Sequence, residues 1–146
     1  MDSVDMKLLK LLGDNARMPL KQLGREVGLS TTGVRRRIKL LENSKVIKGY
    51  TAVVDPRESG WEISAFLSVR TNSQNVGKVA RSLSKYKEVF EIHGITGDHC
   101  LMLKVRARDI ESLNKFVEDK LNSYDGIDSV VTNVAMKTFK ETQLSF

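Results

Sequence analysis

Apolar residues in the first part of the chain recur at helical spacing. Over Val4–Leu12 they fall at i, i+4, i+7 and i+8, which predicts an amphipathic helix capped by Asp2 or Ser3. A second, shorter helix is predicted to begin at Pro19, whose fixed φ suits a first helical position, and to stop at Gly28. Two short helices are therefore expected before residue 30.

A third predicted helix has one apolar face and one basic face. It begins after Ser30, which is well positioned to cap it, and runs to about Asn43. At about 100° per residue, Val34, Ile38 and Leu41 fall on one narrow stripe. The opposite side carries Thr32, Arg35, Arg36, Lys39 and Asn43. A helix of this length is about 20 Å long, and its diameter fits a groove roughly 12 Å wide.

The spacing of these helices is typical of a helix-turn-helix, with Gly28-Leu29-Ser30 as the turn. The segment Val46–Val54 predicts two short strands around Gly49, where a wing would lie. Turn-forming residues over Asp55–Gly60 then predict a linker. We therefore expect a winged helix-turn-helix DNA-binding domain over residues 1–55, a linker over 56–61 and a second domain over 62–146.

The second domain alternates between strand and helix patterns. Residues 63–70 alternate with a period of two, residues 76–83 return to helical spacing, and Asp109 is expected to cap a helix over residues 110–121. Further strands are predicted over Val89–Ile95, Cys100–Arg106 and Ile127–Phe139. The order β-α-β-β-α-β predicts a ferredoxin-like sheet, so the whole chain is expected to be α+β. Helices should cover one face of that sheet and leave the other to water or a partner.

Charge is concentrated in the first domain. Of the 24 basic and 18 acidic side chains, residues 1–55 carry 11 and 6, and residues 56–146 carry 13 and 12. A polyanion such as double-stranded DNA would release counterions on meeting the basic helix. A solvated basic helix face would explain the same cluster, and the charge alone does not decide between the two.

The residues indicate no enzyme, no metal site and no bound cofactor. His93, His99 and Cys100 have no metal-ligand spacing, and adjacent strand residues such as His99 and Cys100 point to opposite faces. Nucleophile-elbow, phosphate-loop and dinucleotide motifs are missing. No apolar run approaches the roughly 18 residues of a membrane span, and a lone cysteine makes no internal disulfide. We expect a cytoplasmic protein with no membrane partner.

Six segments, in their order along the chain, carry a family pattern. They are Asp5-Met6-Lys7-Leu8-Leu9, Leu23–Ser30, Val34–Glu42, Val46–Asp55, Gly97-Asp98 and Gly126-Ile127. With these segments, the chain resembles the Lrp/AsnC (feast/famine) family of prokaryotic transcription regulators over nearly all its length. The resemblance implies a DNA-binding domain followed by a domain that assembles the protein and senses amino acids.

The resemblance also implies partners and an effector site. Members form homodimers through the sheets of the second domain, and the dimers often associate into larger rings such as tetramers or octamers. An amino-acid effector commonly binds between dimers, near the hairpin loop and the last strand. In this sequence those positions are Gly97, Asp98, His99, Cys100 and Thr132.

Two departures from the family pattern bear on the effector. Many relatives have an aromatic residue and then an acid where this chain has His99-Cys100, and a second threonine where it has Val130. An acid missing from the loop removes an anchor for an ammonium group, since a thiol is a weak partner. His99 and Cys100 would also be explained as the start of a strand, so the sequence leaves effector identity open.

A dimer would present two copies of the basic helix to successive major grooves of a pseudo-palindromic site. We expect Arg35, Arg36 and Lys39 to reach DNA, helped by Ser30, Thr31 and Thr32 at the amino-terminal end. Arg37 lies nearer the apolar stripe, where we expect it to pair with Glu42 or the wing. The alternative function is a small-molecule-sensing or assembly module whose helix-turn-helix makes protein contacts only.

Overall fold

The computed structural model describes residues 1–72, 74 and 76–141. Within them the chain forms two compact units, a helical unit over Met1–Val53 and a sheet unit over Val54–Phe139. The order of their elements agrees with the α+β prediction, with three helices followed by a β-α-β-β-α-β domain.

The helical unit consists of α1 (Ser3–Asp14), α2 (Leu20–Val27) and α3 (Thr31–Asn43). Each apolar stripe is turned inward, so that four fully or nearly buried side chains form the centre of a small core: Leu8, Leu23, Val34 and Ile38. The predicted caps form at Asp2 and Ser30, whereas Pro19 is the residue before α2 rather than its first helical position. The helix-turn-helix prediction is confirmed.

The predicted two-stranded wing is wrong for this chain. The structure has no strand over Val46–Val54. The Ile47 N–H donates to the Leu41 carbonyl at 3.0 Å, and the Ile47 side chain packs against the helical core. Residues 48–55 form neither helix nor strand, and Val53 is 92% exposed. A strand needs a hydrogen-bonded neighbour, which a local sequence pattern cannot supply.

The sheet unit is a four-stranded antiparallel sheet in the order β2-β3-β1-β4. Its strands are β1 (Ile63–Thr71), β2 (Val89–Gly94), β3 (Leu101–Ala107) and β4 (Ile127–Val134). Helix α4 (Val76–Leu83) follows β1. Helix α5 (Ile110–Phe116), capped by Asp109 as predicted, follows β3 and continues as a π-helical segment over Val117–Asn122. This arrangement confirms the ferredoxin-like topology.

The last strand is shorter than predicted. It ends at Val134 rather than Phe139. In the register that pairs Val134 with Ala65, any residue after Met136 would lie beyond Ile63, where β1 begins. The final contact joins the Ala135 N–H to the Ser64 carbonyl at 2.8 Å. The start of β1 therefore excludes pairing of the last strand as far as Phe139.

One face of the sheet is covered by helices and holds the core. Alternate residues of β1 and β3 are buried there against α4 and α5, with Leu67, Leu103 and Val105 at 0% exposure. The other face, which we call the open face, carries the side chains of opposite parity. It includes Phe66 and Val131, which are 41% and 47% exposed.

Candidate nucleic-acid interface and effector loop

Helix α3 brings most of the predicted DNA-contacting side chains to one exposed surface. Its inner face is fixed by Val34, Ile38 and Leu41, which are buried in the helical unit. A helix anchored along one stripe holds its opposite stripe outward. The exposed residues are Thr31, Thr32, Arg35, Arg36 and Lys39. We call this set the basic face.

Ser30 has a structural role as the amino-terminal cap of α3. Its Oγ accepts a hydrogen bond from the Gly33 N–H at 3.1 Å and so caps α3. Such a cap satisfies one of the free donors at a helix start. The hydroxyl proton stays available for another acceptor, so Ser30 can both cap the helix and donate outward.

The turn between α2 and α3 depends on two glycines. Gly28 ends α2 with a φ of +70°, in the left-handed region that favours glycine. Gly24 lies within α2, where a Cβ would come within 2.5 Å of the Leu29 carbonyl oxygen. That carbonyl belongs to the backbone of the turn, so a side chain at Gly24 would force the turn to move. The sequence pattern includes Gly24, but its packing role depends on the fold.

Arg37 is held on the side of α3 by α1. Its Nη1 donates to Asp2 Oδ2 at 2.7 Å and to Asp5 Oδ1 at 2.8 Å. The expected pairing with Glu42 or the wing is therefore wrong, since Glu42 instead accepts a hydrogen bond from the Tyr50 hydroxyl at 2.8 Å. The reason is the packing of α1 across α3, which brings two carboxylates closer than Glu42.

The electrostatics of this cluster follow from its contacts. Backbone N–H donors at the start of α1, followed by Arg37, hold the pKa of Asp2 and the pKa of Asp5 below their ordinary value. The two carboxylates in turn raise the pKa of Arg37, Asp5 contributing more than Asp2. All three groups are therefore charged at neutral pH.

The predicted effector loop lies between β2 and β3. Gly97 adopts a φ of +108°, and the Asp98 carbonyl accepts a hydrogen bond from Arg70 Nε at 3.1 Å. The loop is therefore tied to the end of β1 through its backbone, which leaves the Asp98 carboxylate exposed. His99 is half-buried.

Cys100 is turned toward β1. The Thr71 N–H donates to its Sγ at 3.3 Å, and the Cys100 N–H donates to the Val69 carbonyl at 3.2 Å. Its thiol thus lies among backbone groups at the start of β3.

Thr132 is not brought to this loop within one chain. It pairs with Leu67, on the far side of β1 from β3. Two strand spacings amount to about 10 Å, which exceeds the reach of a direct contact. The structure therefore groups Gly97, Asp98, His99 and Cys100 but leaves Thr132 apart.

Comparison with known proteins decides the family. The model of the AsnC-type helix-turn-helix domain matches residues 1–42, and that of the Lrp/AsnC ligand binding domain matches residues 64–145. The chain belongs to the Lrp/AsnC family. It is accordingly a DNA-binding transcription regulator of the Lrp/AsnC type.

Individual relatives are similar along almost their whole length. The HTH-type transcriptional regulator FL11 of Pyrococcus horikoshii is 34% identical over 97% of this chain and 93% of its own. The transcriptional regulator NMB0573 of Neisseria meningitidis, solved in complex with L-Met, superposes with a TM-score of 0.92 at 28% identity, covering 98% and 94% of the two chains. An AsnC family regulator from Agrobacterium tumefaciens gives 0.92 at 30% identity, covering 99% and 96%.

Residues 1–72, 74 and 76–141 contain no group of three or more metal-ligating side chains placed to hold an ion. Within the same ranges, no helix has the length and apolarity needed to cross a bilayer.

Proposed function

We propose that this regulator binds pseudo-palindromic duplex DNA as a homodimer, with the α3 helices in successive major grooves. The observation that carries the proposal is the basic face, whose arginines and lysine are exposed. None of Arg35, Arg36 and Lys39 makes an ion pair within the described part of the chain. Their charges are thus available to a polyanion, and counterion release would favour binding.

In this proposal, the residues of the basic face have two different roles. Thr31 and Thr32 lie in the first turn of α3, where the helix dipole and free N–H groups favour a phosphate, and the Ser30 hydroxyl can donate there too. Arg35, Arg36 and Lys39 extend from the next turns toward base edges or phosphates. A bidentate arginine on guanine would contribute about 1–3 kcal/mol of discrimination, whereas a phosphate contact would be blind to sequence.

The homodimer in this proposal forms through the open face of the sheet. Phe66 and Val131 are diagonal neighbours on adjacent strands of that face, and both remain about half exposed in a single chain. Exposed apolar side chains on an uncovered sheet favour a protein partner over water. Dimers would then associate into tetramers or octamers.

The effector in this proposal is an amino acid bound by the hairpin loop. The L-Met complex of the Neisseria relative supports this class of ligand. Gly97, Asp98, His99 and Cys100 would line the site, and Thr132 would come from another subunit because it lies about 10 Å away across the sheet. Residues 1–55 would bind DNA, 56–61 would link, and 62–146 would assemble and sense. The protein would act in the cytoplasm without enzymatic activity.

DNA binding is tested by replacing the charges that carry it. Arg35→Ala together with Arg36→Ala should weaken binding to a selected duplex and flatten its salt dependence by about 0.9 for each lost phosphate contact. A matched control is Arg81→Ala with Arg108→Ala, two exposed arginines of the sheet unit. Unchanged affinity in the α3 variant, measured by mobility shift, would refute the proposal.

Effector binding is tested separately. An amino acid that binds between subunits must stabilise the assembled form by linkage. A thermal-shift screen with the twenty amino acids should therefore find at least one that raises the melting temperature. If none changes either melting temperature or oligomer size, the sensing part of the proposal is wrong.

A further inference from the structure

The three consecutive arginines of α3 are not equivalent. Arg35 and Arg36 are exposed and make no ion pair within the described ranges, whereas Arg37 donates from one nitrogen, Nη1, to two carboxylates. Its side chain retains 32% exposure, and helix geometry puts it on the flank of α3, between the buried stripe and Arg36. Arg37 is thus a cation on the recognition helix that the protein itself already neutralises.

The two carboxylates are fixed by the backbone of α1. Asp2 Oδ1 accepts from the Asp5 N–H at 2.9 Å, and Asp5 Oδ2 accepts from the Asp2 N–H at 3.0 Å, which is a reciprocal capping box. The remaining oxygen of each carboxylate accepts from Arg37. All four oxygens are therefore engaged, and the pair is more rigid than two free surface side chains would be.

The cluster of Asp2, Asp5 and Arg37 has a net charge of about −1 at neutral pH, because both carboxyl groups have a lowered pKa. It adjoins a helix face where Arg35 and Arg36 contribute two positive charges. The arginines of that face attract a phosphate, whereas the net negative charge of the neighbouring cluster repels one. Specificity is a difference between affinities, and repulsion of the wrong docking arrangement contributes to it.

We propose that Asp2 and Asp5, which we call the acidic clamp, raise the DNA sequence discrimination of this regulator by withholding Arg37 from phosphates. This inference rests on the proposed DNA-binding function and adds specificity-determining residues to it. The clamp also fixes α3 against α1, so that Arg35 and Arg36 meet the groove in one orientation. A released Arg37 would add a phosphate contact to docking arrangements in which Arg35 and Arg36 miss their bases, so it would strengthen binding to non-selected DNA more than binding to selected DNA.

The test compares the wild-type chain with Asp2→Asn, Asp5→Asn and the double variant. Asparagine is an effective helix cap, so α1 should stay folded, as circular dichroism would verify. The probes are a duplex that the wild-type chain enriches from a random pool, and a scrambled duplex of equal composition. In the double variant we expect a salt slope steeper by about 0.9 per protomer on the scrambled duplex, and a smaller change on the selected duplex. The affinity ratio of selected to scrambled duplex should fall by about threefold, and by less in either single variant.

Two further variants separate this role from a general charge effect. Asp14→Asn with Glu26→Gln makes the same change in net charge at exposed positions of the helical unit, and should leave the affinity ratio near the wild-type value. Adding Arg37→Gln to the double clamp variant should return the salt slope to the wild-type value, because the extra phosphate contact is gone.

Three results would overturn the inference while leaving DNA binding intact. They are an unchanged slope and ratio in the double clamp variant, an equal change in the control, or no reversal by Arg37→Gln. A wild-type chain that enriches no duplex would instead refute the proposed function, and the inference with it.

Discussion

The two units of this protein are held together by cores of different size. The helical unit centres on four buried apolar residues, whereas the sheet unit buries twelve. Each buried side chain in the helical unit is therefore a larger share of its stability. The smaller unit also has polar contacts between its helices, in which the acidic clamp on α1 accepts from Arg37 on α3. Where fewer apolar side chains are buried, each polar contact is a larger share of the stability of the unit.

The exposed surfaces differ as well. The helical unit presents a cationic helix face, and the sheet unit presents an open face with half-exposed apolar residues such as Phe66 and Val131. The first surface suits a polyanion and the second suits another protein surface. Substitutions on the cationic face should therefore weaken DNA binding, whereas substitutions on the open face should weaken binding to another protein surface.

Leu23→Ala should have the largest effect on stability. Leu23 is fully buried among the helices, and removing such a side chain costs about 2–5 kcal/mol. In a core of four, we expect this loss to unfold the helical unit and abolish DNA binding while the sheet unit keeps its amide-exchange protection. Leu103→Ala, a fully buried leucine of the sheet unit, is the matched control. If Leu103→Ala removes helical-unit protection equally, the two units do not unfold separately.

Phe66→Glu should have the next largest effect, by weakening the proposed homodimer. Burying an unpaired charge in place of an interfacial aromatic residue should cost about 2 kcal/mol, or roughly thirtyfold in the dimer dissociation constant. Analytical ultracentrifugation measures the change. Ile110→Glu places the same charge at an exposed apolar position of α5 and should leave dimerisation unaffected. Equal effects of the two substitutions would argue against the open face as the interface.

Gly24→Ala should have a moderate effect confined to the helical unit. Its Cβ would lie 2.5 Å from the Leu29 carbonyl oxygen, and relieving such overpacking costs about 1–3 kcal/mol, offset by up to about 1 kcal/mol of helix propensity. Gly33→Ala is the control, because the nearest atom to its Cβ would be Ser30 Oγ at 3.4 Å. Denaturant melts should show destabilisation by Gly24→Ala alone; equal stability of the two variants would contradict the packing role.

Lowering the pH should produce the smallest change in the stability of the helical unit. The folded-state pKa values of Asp2 and Asp5 lie below the ordinary value of 3.8, so the clamp stabilises the helical unit above that pH. The contribution is lost as pH falls through the lowered values. The stability difference between wild type and the double clamp variant should thus shrink as the pH is lowered from neutral to below 3.8. A difference that stays constant over this range would mean that the carboxylates do not contribute as charged groups.

Local patterns predicted most of the fold. The stripes of α1 to α3, the alternation of β1 and the cap of Asp109 are each set by residues within a few positions of one another. The family resemblance then added the predicted position of the effector loop. The wing and the end of β4 were wrong, because a strand exists only where another strand pairs with it.

The sequence by itself determined which faces would be apolar and which basic, since side-chain periodicity follows directly from helix and strand geometry. The tertiary structure alone decided the partners of Arg37, the close approach of Gly24 to Leu29, and the separation of Thr132 from the effector loop. The physical reason is the separation along the chain between the residues that interact. Arg37 meets carboxylates more than thirty residues away, and no local pattern specifies which distant group the packing of helices will bring within hydrogen-bonding distance.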